Sequence, residues 1–191
     1  MNEIKARVEQ LRAQMKAHGV DAYIVPTSDF HETEYVCDHF KAREYMSGFT
    51  GSAGTCVFTA DAAKLWTDGR YFIQAAKQLE GSGIELMRMG DEGVPTIEAY
   101  LREALPAHAT LGFDGRVMNT AMVERLCAQL NEVTISCDMD LVGAIWQDRP
   151  ALPASKTFEL AQRYTGKSAA QKLSEVREAM AEAGADIHII T

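Results

Sequence analysis

VEQLRAQMKAHGVDAYIV, residues 8–25, joins an amphipathic helix, a glycine stop and an apolar strand with almost nothing between them. Ile4, Val8, Leu11 and Met15 recur at spacings of three and four, so they share one face of a helix that starts near residue 3. Gly19 is placed to end that helix in the left-handed conformation, which glycine adopts without a Cβ clash. Ala22-Tyr23-Ile24-Val25 then runs unalternated to Pro26, the pattern of a strand covered on both faces. A helix feeding directly into a doubly covered strand is the opening of a layered α/β sheet.

The alternation continues downstream. TSDFHETEYVCDHF, residues 27–40, is polar and irregular and reads as a long loop off the strand's carboxyl edge, where functional loops collect. A short helix near Lys41 to Met46 follows, then a glycine-rich turn, SGFTGSAGT, and two strands, CVFTA and AKLWT, joined as a hairpin around Asp61. Asp68-Gly69 ends the second strand, and Arg70 to Leu79 carries helical spacing until Gly81. Beyond it the pattern predicts a strand over Ile84 to Met89, a helix over Thr96 to Leu105 and a strand over Thr110 to Phe113. A helix capped by Asn119, a strand over Val133 to Cys137 and a short helix over Leu141 to Trp146, capped by the Asp138 and Asp140 pair, complete it. The expected fold class is α/β, with a mixed, mainly parallel sheet flanked by helices on both faces.

The 191 residues are 47% hydrophobic and 24% charged, a balance that supports a packed core. A net charge of −8 repels phosphate backbones and anionic lipid, so neither nucleic acid nor a membrane is an expected partner. No stretch approaches the roughly 18 apolar residues of a membrane-spanning helix, and MNEIKARVEQ lacks a signal peptide's apolar core, so a cytoplasmic location is expected. Cys37, Cys56, Cys127 and Cys137 stand apart with no C-x-x-C pair, which points to reduced, mostly buried thiols rather than a zinc ribbon or a disulfide framework.

Past Arg149 the signal changes. RPALPASKTFELAQRYTGKS has early prolines and no sustained periodicity, so residues 1–150 read as one domain and 151–167 as a linker. With Gly184 set against Gly19, LSEVREAMAEAGADIHII repeats the opening motif: Arg177 falls on Arg12, Met180 on Met15, Asp186 on Asp21 and Ile189 on Ile24. Residues 168–191 are therefore expected to begin a second, similar domain, cut short after a newly started strand.

His31, Cys37, Asp38 and His39 are the densest set of reactive side chains. A Cys nucleophile with a His base is conceivable there, but no oxyanion-hole motif accompanies it, and the spacing matches no structural zinc site. His18, His108 and His188 are scattered, so neither catalytic residues nor metal ligands are expected within this chain. Gly48, Gly51 and Gly54 have no following Lys and match neither the P-loop nor the dinucleotide fingerprint; turning the backbone is their expected task. In WTDGRYF, residues 66–72, the turn leaves Arg70 at a helix start. Its planar fork suits a carboxylate or a peptide carbonyl, and suits an ion pair with Asp68 equally well.

SGFTGSAGT at Ser47, LWTDGRYFIQAAKQL at Leu65 and LVGAIWQDRP at Leu141, with IVPTSDFHETEY from Ile24, together resemble the N-terminal domain of cytosolic, three-domain Xaa-Pro aminopeptidases of the creatinase and aminopeptidase P group. The resemblance implies two N-terminal domains of similar fold, then a "pita-bread" catalytic domain holding two manganese ions, absent from these 191 residues. It implies removal of an N-terminal residue that precedes proline, and a homodimeric parent. It also implies that this domain shapes the substrate cleft against its own catalytic domain, with Arg70 contacting bound peptide. Asp29, His31 and Tyr35, on the loop after the first strand, are further cleft-facing candidates. Two alternatives stand beside this: an interaction module from a catalytically dead relative, and a creatine-hydrolysing relative, which the second repeat start disfavours.

Overall fold

The structure is a computed structural model that describes residues 3–190. The chain divides into a compact unit that runs to Leu152 and a second unit from Pro153 onward.

The first unit opens with α1 (Glu3–Ala17) and β1 (Ala22–Pro26), as the first motif predicts. It continues through α2 (Ala42–Ser47), β2 (Thr55–Thr59), β3 (Ala63–Thr67), α3 (Phe72–Gln78), β4 (Glu85–Arg88) and α4 (Ile97–Ala104), and closes with β5 (Thr110–Phe113), α5 (Thr120–Gln129), β6 (Thr134–Ser136) and α6 (Leu141–Ile145). The six strands lie in the order β4-β3-β2-β1-β5-β6. β1 pairs with β5, β5 with β6 and β3 with β4 in parallel, whereas β2 runs antiparallel to both β1 and β3. Only β2 is reversed, because the tight turn at 59–62 folds it back onto β3. There the Thr59 hydroxyl accepts from the Ala62 amide and donates to Asp61. The other five strands consequently deliver their carboxyl ends to one edge of the sheet.

Both faces are covered. Val8, Leu11 and Met15 of α1 pack with Met46, Leu141 and Val142 against Tyr23, Val25, Phe58 and Leu65. Leu101 of α4 and Leu126 of α5 pack against Ile24, Val57, Trp66, Leu111 and Phe113 on the opposite side. Successive β1 residues feed opposite cores, which is why that strand shows no alternation. Burying a large apolar side chain of this kind contributes about 1.5–3 kcal/mol. Tyr23 adds a polar pin: its hydroxyl donates to Met139 O at 2.6 Å and accepts from Leu141 N at 3.1 Å, tying β1 to the segment that enters α6.

Local chemistry sets the helix starts. Thr96 and Asn119 accept from Ala99 N and Met122 N, capping α4 and α5. Asp140 alone of the Asp138 and Asp140 pair caps α6, taking Gly143 N at 2.7 Å; Asp138 instead accepts from Ser136 and faces Asp114 across an isolated bridge. The helix expected from Arg70 begins only at Phe72, since Asp68 to Tyr71 form the turn.

In the second unit α7 (Gln162–Thr165) places one helical turn inside the stretch expected to be a plain linker. α8 (Ala169–Glu182) follows, with Ser168 and Gln171 forming a reciprocal capping box. Its carboxyl end copies that of α1. His18 N, Gly19 N and Val20 N bond to Gln14 O, Lys16 O and Met15 O, and Ala183 N, Gly184 N and Ala185 N bond to the matching Ala179, Ala181 and Met180 carbonyls. Gly19 and Gly184 have φ of 65° and 63°, the left-handed values that the expected helix stops require. The strand expected beyond Gly184 does not form among the described residues. Ile24 is 1% exposed within the sheet while its counterpart Ile189 is 78% exposed, because a strand exists only through neighbours that bond to it.

Candidate functional site

The segments that follow the carboxyl ends of β1 and β3 carry Asp29, His31, Tyr35 and Arg70. Arg70 sits just beyond β3 and is held by Asp68. Oδ1 of Asp68 accepts from the backbone N and Nε of Arg70 at 3.0 and 2.9 Å, and Oδ2 accepts from Nη2 at 2.8 Å. The guanidinium lies 5.2 Å from the centre of the Tyr71 ring, whose hydroxyl meets Ser52 Oγ at 2.6 Å. Of the two readings left open by the sequence, these contacts supply the ion pair with Asp68. Only one flank of the guanidinium is used, and the side chain remains 69% exposed. The hydrogen bond from Arg70 holds the Asp68 carboxyl at about 2, and the same partner raises the arginine's own pKa, so both charges persist across the physiological range.

Asp29, after β1, is only 8% exposed and is turned into its own loop. Oδ1 accepts from His31 N at 2.8 Å and Thr33 N at 3.1 Å, and Oδ2 takes the Thr33 hydroxyl. Burial by itself would raise this carboxyl, but the hydrogen bonds from Thr33 and His31 outweigh it and leave the pKa below the ordinary value. Asp29 thus shapes the loop, and its carboxylate is fully committed. Glu32 holds a left-handed φ of 52° and accepts from Asn119 Nδ2, so the loop is braced against the start of α5. His31 is exposed and shares a cavity of about 300 Å³ with Asp29, Phe30, Asn119 and Arg116. Tyr35 is 85% exposed and borders a different cavity of about 230 Å³ beside Arg43 and Thr50. Arg70 borders neither cavity.

The glycine-rich turn is held by Arg43, which is buried. Its Nε donates to Thr27 Oγ1 at 2.9 Å, and its two Nη groups donate to the carbonyls of Phe49 and Gly51. A Cβ at Gly51 would lie 2.2 Å from the Phe49 ring, so the turn requires glycine for close approach rather than for phosphate. A cavity of about 470 Å³ opens between β3, β4 and α4, lined by Trp66, Asp68, Met89, Pro95, Ile97 and Met122.

The dense cluster at 31–39 does not assemble into a catalytic set. His39 Nδ1 bonds to Pro150 O at 2.7 Å, Asp38 pairs with Lys41 at 2.6 Å, and Cys37 has no hydrogen bond to either histidine. Among the described residues no three His, Cys, Asp or Glu side chains are grouped to share a metal ion, and no helix is long and apolar enough to cross a membrane.

Sequence reasoning passed over Arg116. Asp114-Gly115-Arg116 follows β5 as Asp68-Gly69-Arg70 follows β3, and Asp114 accepts from Arg116 N, Nε and Nη2 at 3.0, 2.9 and 2.8 Å. The repeated triplet was a legible signal.

Residues 7–144 match the model of the creatinase/prolidase N-terminal domain, and residues 148–191 match a second model with the same description. The chain is 38% identical over 199 residues to Xaa-Pro aminopeptidase 1 of Dictyostelium discoideum, which covers 98% of this chain and 32% of that protein. It is 42% identical over 176 residues to a probable Xaa-Pro aminopeptidase P of Talaromyces marneffei, covering 90% and 27%. Among solved structures, the X-prolyl aminopeptidase of Caenorhabditis elegans, a cytosolic enzyme with a di-nuclear active site, superposes with a TM-score of 0.85 at 28% identity over 97% of this chain and 32% of that one. The chain spans about a third of the length of such relatives.

Proposed function

Because the chain belongs to the creatinase/prolidase N-terminal domain family, we propose that it is the non-catalytic N-terminal part of a metallo-aminopeptidase that removes an N-terminal residue preceding proline, and that it forms one wall of the substrate cleft. The relatives that cover almost all of this chain are Xaa-Pro aminopeptidases, which supports the activity. The observation that carries the domain's own role is Arg70: charged, exposed and held in orientation by Asp68 at the sheet's carboxyl edge, where an α/β fold presents its binding loops. A fork with its outer N–H groups open suits a peptide carbonyl or carboxylate. His31 and Tyr35 are accessible further along the same edge, and the Asp29 carboxylate holds the His31 backbone amide.

In this reading the two manganese ions are held by the catalytic domain of the longer protein; among the described residues no three His, Cys, Asp or Glu side chains are grouped to share a metal ion, and no chemical step is assigned to this chain. Residues 168–191 are read as the start of the second N-terminal domain. This reading draws support from the copied helix end at Gly184. The intact protein is read as a cytosolic homodimer. The test is direct: the full-length protein should cleave Xaa-Pro peptides in a manganese-dependent manner, and the purified 191-residue chain should not. Turnover by the isolated chain above contaminant level would sink the non-catalytic assignment, and inactivity of the full-length protein would favour a protein-interaction module.

A further inference from the structure

Two Asp-Gly-Arg triplets, 68–70 and 114–116, each leave the carboxyl end of a strand, β3 and β5, and those strands run in the same direction. Their hooks are alike to within 0.1 Å in all three hydrogen bonds. In each, the aspartate occupies the Nε and Nη2 side of the guanidinium. Arginine has five N–H donors, and among the described residues nothing accepts from Nη1 of either side chain. Arg116 differs in that its Nη2 also donates to Asp140 at 2.9 Å; its guanidinium lies 5.6 Å from the Phe30 ring centre, as that of Arg70 lies 5.2 Å from Tyr71. Arg70 can therefore offer a two-pronged end, whereas Arg116 offers Nη1 alone, which suits a single carbonyl oxygen better than a carboxylate. Its side chain remains 53% exposed, on the wall of the cavity that also holds His31.

The separation of the hooks follows from the sheet. In the order β3-β2-β1-β5 they are three strand spacings apart, about 14 Å at about 4.8 Å per spacing. An extended peptide covers that distance in about four residues. The ligand's chemistry is restricted by the surroundings. Asp68, Asp114, Asp140 and Glu32 line the two hooks in a protein of net charge −8, so a phosphate chain would be repelled while a neutral main-chain carbonyl would not.

We infer that Arg116 is a second peptide-gripping residue, binding a main-chain carbonyl about four residues along an extended substrate from the point held by Arg70. The inference rests on the reading of Arg70 as a peptide contact. Arg116 then sets a preference for length. Short substrates reach Arg70 alone, and only longer ones engage both hooks.

The experiment measures kcat and KM of the full-length enzyme on a series of Xaa-Pro peptides from two to eight residues, with R70A, R116A and R116K variants. R116A should raise KM about ten-fold on the longer peptides, equivalent to about 1.4 kcal/mol, with kcat unchanged and the shortest peptides unaffected. R116K, which keeps the charge and serves if R116A fails to fold, should show the same length dependence with a smaller loss. R70A should weaken every length. An Arg116 effect that is equal at all lengths, or absent at all lengths, overturns the inference while leaving Arg70's role intact. Silence of R70A at every length removes the cleft-wall reading itself.

Discussion

Replacing Tyr23 by Phe removes one oxygen from the centre of the first unit and leaves the ring's packing unchanged. That oxygen serves two backbone groups, Met139 O at 2.6 Å and Leu141 N at 3.1 Å, and both Tyr23 and Leu141 are buried. A typical hydrogen bond contributes about 1 kcal/mol net, and a buried group stranded without a partner costs about 1–3 kcal/mol. With two groups stranded, one of them able to relax toward solvent at the helix entry, the expected loss is about 2–3 kcal/mol. In a unit of this size that corresponds to a fall in Tm of about 4–12 °C. Urea unfolding followed by circular dichroism would measure it. Tyr45→Phe is the control, since that hydroxyl makes a single 3.3 Å contact to Ile145 O and should cost well under about 1 kcal/mol. A Tyr23→Phe loss no larger than the control's would refute the claim that this hydroxyl pins α6 to β1.

Thiol reactivity should separate the cysteines, of which only Cys56 is buried where most were expected to be: burial pushes its thiol up to about 12, so it should label only on unfolding, while exposed Cys127 and Cys137 label promptly in the native protein. Carbon-detected NMR should place the Asp68 titration near pH 2. Because its folded pKa is depressed, the pair's contribution is present above the ordinary carboxylate pKa and disappears as pH falls through about 2; a value near 4 would show that Arg70 is not held. Leu126→Ala, at a fully buried α5 position, should cost about 2–5 kcal/mol in urea unfolding.

Elements whose cause is local were legible in the sequence. The helix stop at Gly19, the cap at Asn119 and the turn at Asp68-Gly69 all depend on residues within four positions of each other. Strand order was not legible, because placing β1 between β2 and β5 depends on pairings tens of residues apart. The same limit explains Ile187 to Ile190, which have strand-forming side chains but no paired neighbour. It also explains Asp29, whose committed carboxylate follows from the fold of its loop rather than from its residue type. Arg70 stood out in the sequence with its partner left open, since a triplet alone cannot say whether Asp68 pairs with the arginine or leaves it free. The structure shows the pairing on one flank only.

The central claim is that this domain acts on substrate through the edge where Arg70 stands. Steady-state kinetics of the full-length enzyme with Arg70→Ala, on several Xaa-Pro peptides, tests it most directly. The account predicts kcat/KM reduced by about ten-fold or more on all of them, in keeping with the loss of one charge-assisted contact, with the fold intact by circular dichroism. Wild-type kinetics on every peptide would contradict it.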